Sequence, residues 1–268
     1  MRACSTNSAT SGPAPPGAGG PPGGAGGRAP GAPPGPGPPG AGRGPAGGRP
    51  GGRPGGRAPP AELAPLFDTW PAGRVIHVIH DTAYAPESFN PGRDVAGNLR
   101  RPTRFAPILD AQGRLVPYLY GGSTLDCAIF ETVFHDVPVD AADKFVDLDP
   151  FALRGHGELV CRRDLQPADL TSEGLHRLRV PKQELITSPS RDYLATASWA
   201  QALHRQFPDL DGLLWMSRQR DRDQSLLLFG DRLQGDLSGT RIGGRLSQDP
   251  NLREAVLSAA LRAGIEVD

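Results

Sequence analysis

From Ser11 to Pro60 the chain is almost entirely Gly, Pro, Ala and Arg, and this limits what it can fold into more than any other feature. The stretch holds no aliphatic side chain larger than Ala, no aromatic ring and no acid. Such a composition buries too little apolar surface to offset the entropy of ordering a chain, so residues 1–60 read as a disordered tail. Gly without a strict three-residue period argues against a collagen triple helix. Of the 268 residues, 61–268 remain to fold, an amount suited to one domain.

The formal net charge of zero hides an asymmetry. Residues 1–61 carry Arg2, Arg28, Arg43, Arg49, Arg53 and Arg57 and no Asp or Glu, which makes +6 and leaves −6 for the remainder. A Gly-rich tail with spaced arginines can touch nucleic acid or an acidic surface weakly. Lys144 and Lys182 are the only lysines, however, so compositional drift, or a start codon placed too early, is the better reading. No specific nucleic-acid partner is expected. Cys4, Cys127 and Cys161 are scattered without C-x-x-C spacing, which indicates neither a disulfide framework nor a zinc site, and no metal is expected. The chain shows no apolar run long enough to span a membrane and no signal-peptide core at its N-terminus, so a cytoplasmic protein is expected.

In the foldable part, Arg74–His80 is rich in β-branched residues and reads as a strand. Arg104–Leu109 and Arg114–Tyr120 read as two more, joined by a turn at Asp110–Gly113, with Pro107 and Pro117 hinting at edges or bulges. Gly121-Gly122 allows a sharp turn into a helix capped by Ser123 or Thr124, with Ser123 and Asp126 resembling a short capping box. Lys144–Leu148 and Glu158–Arg162 read as short strands, Thr171–Leu178 as a weak helix, and Arg191–Phe207 as an amphipathic helix with Leu194, Trp199, Leu203 and Phe207 as core contacts. Leu213–Met216 and Ser225–Phe229 are buried-type strands, Asp249–Ala263 is a last helix stopped by Gly264, and IEVD adds an edge strand. The fold class is α+β, a central mixed or antiparallel sheet with flanking helices.

Residues 104–135 bring together a cation, an aromatic ring and a carboxylate. Arg104, leading its strand, is able to grip phosphate, with Arg100 and Arg101 close enough to serve instead. Tyr120 ends the next strand and offers a ring for stacking and a hydroxyl for orientation; Tyr118 is the alternative, expected on the opposite face. Glu131 follows eleven residues later inside AIFETVF, an apolar setting that invites a functional explanation. Ser217 lies where a buried strand meets the polar segment Arg218–Asp223, and suits hydrogen bonding. No G-x-S-x-G elbow surrounds Ser217, which argues against a hydrolase-type nucleophile there, and no G-x-G-x-x-G follows a predicted strand, which disfavours hydride transfer. Each residue also has an ordinary reading: a surface arginine, a rim tyrosine, an exposed helical glutamate and a turn serine.

In their order and context the four form a recognisable set. RFAPI with Arg104, YLYGGSTLDCAIFETVF with Tyr120 and Glu131, and WAQALHRQFPDLDGLLWMSRQRDRDQSLLLFGDRL with Ser217 resemble the RES domain family over roughly residues 74–235. Two features depart from the family pattern: RRPTRF stands where a Gly-Gly-Arg-(Trp/Phe) context is common, and the Gly/Pro/Arg tail lies outside it. The resemblance implies an ADP-ribosyltransferase-like fold and action on NAD as substrate, with no further cofactor. It implies a toxin that depletes NAD by hydrolysis or phosphorolysis, an Xre-type antitoxin as partner, and in some members transfer of ADP-ribose to protein. A homo-oligomer is also in view. On this resemblance Arg104 holds the phosphates, Tyr120 packs against the nicotinamide or its ribose, Glu131 stabilises the ribosyl cation, and Ser217 hydrogen-bonds the nicotinamide–ribose region.

Overall fold

The computed structural model describes residues 56–233 and 235–268. The tail expected over residues 1–60 therefore lies almost wholly outside the described residues. At its described end the Arg57 carbonyl accepts a 2.7 Å hydrogen bond from Trp199 Nε1, so the packed chain begins before residue 61.

Among the described residues, eleven strands and five α-helices follow. They are β1 (Val75–Asp81), β2 (Ile108–Leu109), β3 (Leu115–Val116), β4 (Tyr118–Gly122), α1 (Leu125–Thr132), β5 (Phe145–Val146), β6 (Arg154–Cys161) and β7 (Pro167–Asp169). After these come α2 (Ser172–Leu178), α3 (Lys182–Leu185), α4 (Tyr193–Gln206), β8 (Gly212–Met216), β9 (Gln224–Phe229), β10 (Leu237–Arg245), α5 (Pro250–Ala263) and β11 (Glu266–Val267). Seven strands form the main sheet in the order β10-β6-β1-β4-β9-β8-β7. All neighbours are antiparallel except β7 and β8. The α+β expectation holds.

Alternation along β1 separates the two faces of this sheet. Ile76 and Val78 join Leu159, Leu214, Leu226 and Leu228 on one face, beside Trp70 and Leu165. On the other face Leu213, Trp215, Leu227 and Phe229 pack with Leu175, Leu185, Trp199 and Leu203 from α2, α3 and α4. β8 and β9 are apolar on both faces because both faces are covered, which is why they read as continuous runs. A third cluster joins Ile129 and Phe130 of α1 to Val256 and Ala260 of α5.

Several expectations are corrected. Arg104 leads no strand: residues 104–105 form a bend, and pairing begins only at Ile108. Pro107 has no N–H to donate to a ladder, and Pro117 separates β3 from β4 in the same way. Leu194 is 73% exposed, and the α4 stripe facing the core runs through Tyr193, Ala197, Ala200 and Leu203. The final IEVD strand pairs in parallel with β5 in a separate two-stranded sheet. β10 was not foreseen.

Candidate active site

The site begins where β4 turns into α1. A Cβ on Gly122 would stand 2.8 Å from both Cβ and Sγ of Cys127, so only glycine lets the helix start this close to the strand. Thr124 is the N-cap, its Oγ1 accepting from Cys127 N at 3.0 Å. Ser123 instead accepts from Gln224 N, and Asp126 pairs with Arg220 and Arg262, so no Ser123–Asp126 capping box forms. Cys127 then rests on β9, with Sγ 3.4 Å from Ser225 Oγ, and burial pushes its thiol up to about 12.

Glu131 lies one helical turn beyond Cys127 on the same side of α1. Its side chain is half-buried, and Oε1 is enclosed with no hydrogen-bond partner among the described residues. A buried acceptor left empty is costly and calls for an explanation.

Arg104 is 5% exposed. Nη1 donates to the Leu185 carbonyl at 3.2 Å, the Ser188 carbonyl at 3.3 Å and Ser188 Oγ at 3.1 Å. The guanidinium carbon stands 5.2 Å from the Tyr193 ring centroid. Burial lowers the pKa of the guanidinium, Tyr193 and Glu131 act against that lowering, and Arg218 adds to it. Arg104 is thus a buried cation within the field of Glu131 yet in ion-pair contact with no carboxylate among the described residues. α4 clamps its segment: Thr196 Oγ1 donates to the Arg104 carbonyl, and Gln201 Oε1 accepts from Leu109 N at 2.9 Å.

Tyr120 holds Arg104 from the sheet side. Its hydroxyl pairs with Thr103 Oγ1 at 2.9 Å and accepts from Phe105 N at 3.1 Å, the residues on either side of Arg104. The enclosed hydroxyl has its pKa raised by burial. Its hydrogen bonds serve the protein, and its ring packs edge-on toward Trp215, with centroids 6.2 Å apart. Tyr118 does not face the opposite way: two residues apart on a strand means the same face, and the rings of Tyr118 and Tyr120 stand 5.9 Å apart.

Ser217 follows β8 and is fully buried. Its N–H donates to the Asp223 carbonyl at 2.9 Å, and its Oγ accepts from Gln219 N at 3.3 Å, opening the turn. The turn is stitched to the segment after α1: Arg218 Nη2 donates to the His135 carbonyl and Gln219 Nε2 to the Val137 carbonyl, both at 3.1 Å. By strand parity Ser217 continues the Leu213–Trp215 face, the one bearing Tyr120.

Three residues here escaped the sequence reading. Tyr193 hydrogen-bonds His135 Nε2 at 3.0 Å, tying α4 to the end of α1, and Arg218 adds a second cation. Stepping back from Ala200 and Ala197 at helical spacing reaches Tyr193, so the buried stripe was the signal available for it. His135 and Arg218 carried none. A cavity of about 340 Å³ lined by Leu175, His176, Arg179 and Lys182, and another of about 290 Å³ lined by Phe130, Gln219, Arg220 and Arg262, contain none of the four predicted residues.

The arrangement therefore offers an unpartnered carboxylate oxygen, a buried guanidinium and an aromatic face in one neighbourhood. That set suits a ligand that is anionic at one point and cationic at another. No curated protein matches the chain. Among solved structures it is similar to a chain in the crystal structure of the M. tuberculosis MbcT–MbcA toxin–antitoxin complex, with 14% identity, 71% of this chain and 92% of that chain covered, and a TM-score of 0.46. The model of the RES domain matches residues 74–242, a span that includes Arg104, Tyr120, Glu131 and Ser217, and the chain belongs to the RES domain family.

Proposed function

We propose that this protein consumes NAD by cleaving the bond between nicotinamide and ribose, as the toxin of a toxin–antitoxin pair. The observation that carries the reading is the enclosed, partnerless Oε1 of Glu131 within the field of buried Arg104. Nicotinamide leaves a cationic pyridinium as a neutral base, taking the electron pair of the C1′–N bond, so no general acid is needed. One carboxylate then suffices, in contrast to the two of ordinary glycosidases. Glu131 stabilises the positive charge that develops on the ribose and orients the acceptor, whose oxygen bonds to C1′. When that acceptor is water, its proton passes to Glu131 and on to solvent.

Arg104, already positioned by Tyr120 and Thr196, faces the phosphates. The Tyr120 ring packs against the nicotinamide ribose, and Ser217 supplies a hydrogen bond to the same region. NAD is substrate here, with no other cofactor required. An Xre-type antitoxin that covers the site, assembly with further copies of this chain, and action in the cytoplasm complete the reading. Among the described residues no helix is long and apolar enough to cross a membrane.

Incubating the full chain with labelled NAD, with and without phosphate, tests this. Free ADP-ribose identifies hydrolysis, its 1-phosphate identifies phosphorolysis, and label retained on protein identifies ADP-ribosyl transfer. Glu131→Gln is expected to lower turnover about 10²–10³-fold while keeping the native circular dichroism spectrum. Full turnover by that variant would rule the assignment out. NAD left intact by the unmodified chain would leave a binding module in place of an enzyme.

A further inference from the structure

Among the described residues, one group of potential metal ligands lies outside the candidate active site: His77 on β1 with His156 and Glu158 on β6. We propose that these three side chains bind a first-row divalent cation of the zinc class, bridging β1 and β6. Nothing in this inference depends on the NAD reading.

Strand pairing builds the group. His77 stands directly opposite Glu158, and His156 is opposite Ile79, one diagonal step away. Residues two apart on a strand share a face, so all three side chains rise from the same side of the sheet. Gly157 between the β6 ligands turns to the other face, where a Cβ would meet Pro86 at 2.5 Å. The ligands therefore sit on two neighbouring strands of a seven-stranded sheet, a rigid platform.

The spacing fits. His77 Nδ1 and His156 Nε2 are 3.0 Å apart, and His77 Nδ1 lies 3.9 Å from Glu158 Oε1. With zinc–nitrogen bonds of about 2.0–2.1 Å, two imidazole nitrogens on one tetrahedral ion stand about 3.3 Å apart. The rings need separate by only a few tenths of an ångström to admit it. At present the two nitrogens share a single proton, and Glu158 at 3.9 Å is beyond hydrogen-bond range of His77. A cation in place of that proton would engage all three groups at once.

Exposure supplies an entry path. His156 is 6% exposed, the His77 side chain 20% and the Glu158 side chain 37%, so the group opens toward solvent through its carboxylate. A fourth position is left there for water. Both imidazoles must bind the ion as neutral rings, so binding would weaken as the pH falls. Two imidazoles and one carboxylate favour zinc, cobalt or nickel over magnesium or calcium.

The test uses the full chain freed of any histidine tag and stripped with a chelator. Titration with cobalt(II) is expected to give visible ligand-field bands of a four-coordinate ion that saturate at one equivalent and vanish on adding zinc. Zinc should raise the melting temperature by several degrees at saturation. His77→Gln and Glu158→Gln, both at partly exposed positions, should each weaken cobalt binding at least tenfold. Absence of the cobalt spectrum in the unmodified chain would overturn the proposal, and so would unchanged affinity in both variants, which would place the metal elsewhere.

Discussion

The two ends of β8 handle buried charge in opposite ways. At its entry Asp211, 3% exposed, receives both arms of Arg163: Nη2 at 2.6 Å from Oδ1 and Nη1 at 2.8 Å from Oδ2. Gln166 N also donates to Oδ2 at 2.8 Å, and Arg163 Nε reaches Asp236 at 2.8 Å. The hydrogen bond to Asp211 holds the guanidinium above its usual pKa, with Asp236 contributing less. At the exit, beyond Ser217, Arg104 meets carbonyls and a hydroxyl while Glu131 keeps an empty oxygen. Both arrangements desolvate charge. Only the first repays that cost within the protein, through a bidentate fork. Saturated charge of the first kind suits scaffold, whereas the empty Glu131 oxygen is where the proposed function seats its ligand.

The comparison breaks most visibly at Asp211. Asp211→Ala strips Arg163 of its fork and leaves Gln166 N without its acceptor. Losing one partner of a buried pair costs about 3–5 kcal/mol, and the lower end applies because the Arg163 side chain is 41% exposed. Urea unfolding is expected to show a loss of about 3 kcal/mol. NAD turnover per folded molecule should stay near that of the unmodified chain. Loss of turnover with stability intact would reverse the roles of the two ends.

How far this contrast was legible in the sequence depends on local geometry. Glu131 stood out because an acid amid AIFETVF breaks the apolar pattern of a helix, and the break survives folding. Ser217 stood out as the boundary between a buried strand and a polar segment, and β8 indeed ends at Met216. Arg104 was placed on a strand because RFAPIL is apolar and extended in character, yet a ladder needs N–H groups that Pro107 lacks. Its true support comes from Tyr120, Ser188 and Thr196, far away in sequence, which no short-range pattern encodes. β10 was missed for another reason. LSGTRIGGR is largely exposed and is interrupted by a bulge between Ile242 and Arg245, so it shows no alternation of apolar and polar residues. The saturated end was invisible as a unit, because Arg163, Asp211 and Asp236 are charged residues on three separate connecting segments.

A smaller effect sharpens the comparison from the helix side. α1 carries Glu131, and Thr124 supplies its cap through a single hydrogen bond. Thr124→Ala should cost about 1 kcal/mol, the usual value of a helix N-cap. For a domain of this size that corresponds to a fall of about 2–4 °C in melting temperature. Turnover should change by no more than a few fold, since Gly122 and the Cys127–Ser225 contact still fix the helix on the sheet. A turnover loss comparable to that of Glu131→Gln would show that the cap, more than the packing, places the carboxylate.

The smallest stability effect is expected at Glu131 itself, where the effect on turnover is large. Replacing its carboxylate by the isosteric amide removes the attraction toward Arg104, which destabilises, and also removes a desolvated charge with an empty oxygen, which stabilises. The two changes oppose each other, so Glu131→Gln should shift the unfolding free energy by no more than about 0.5 kcal/mol. Urea midpoints of the variant and the unmodified chain, compared at equal slope, measure this. A loss above about 2 kcal/mol would mean that Glu131 is held in the fold as Asp211 is, and its empty oxygen would no longer mark a ligand's place. An unchanged midpoint together with lost turnover is the signature of a group whose partner arrives only with the substrate.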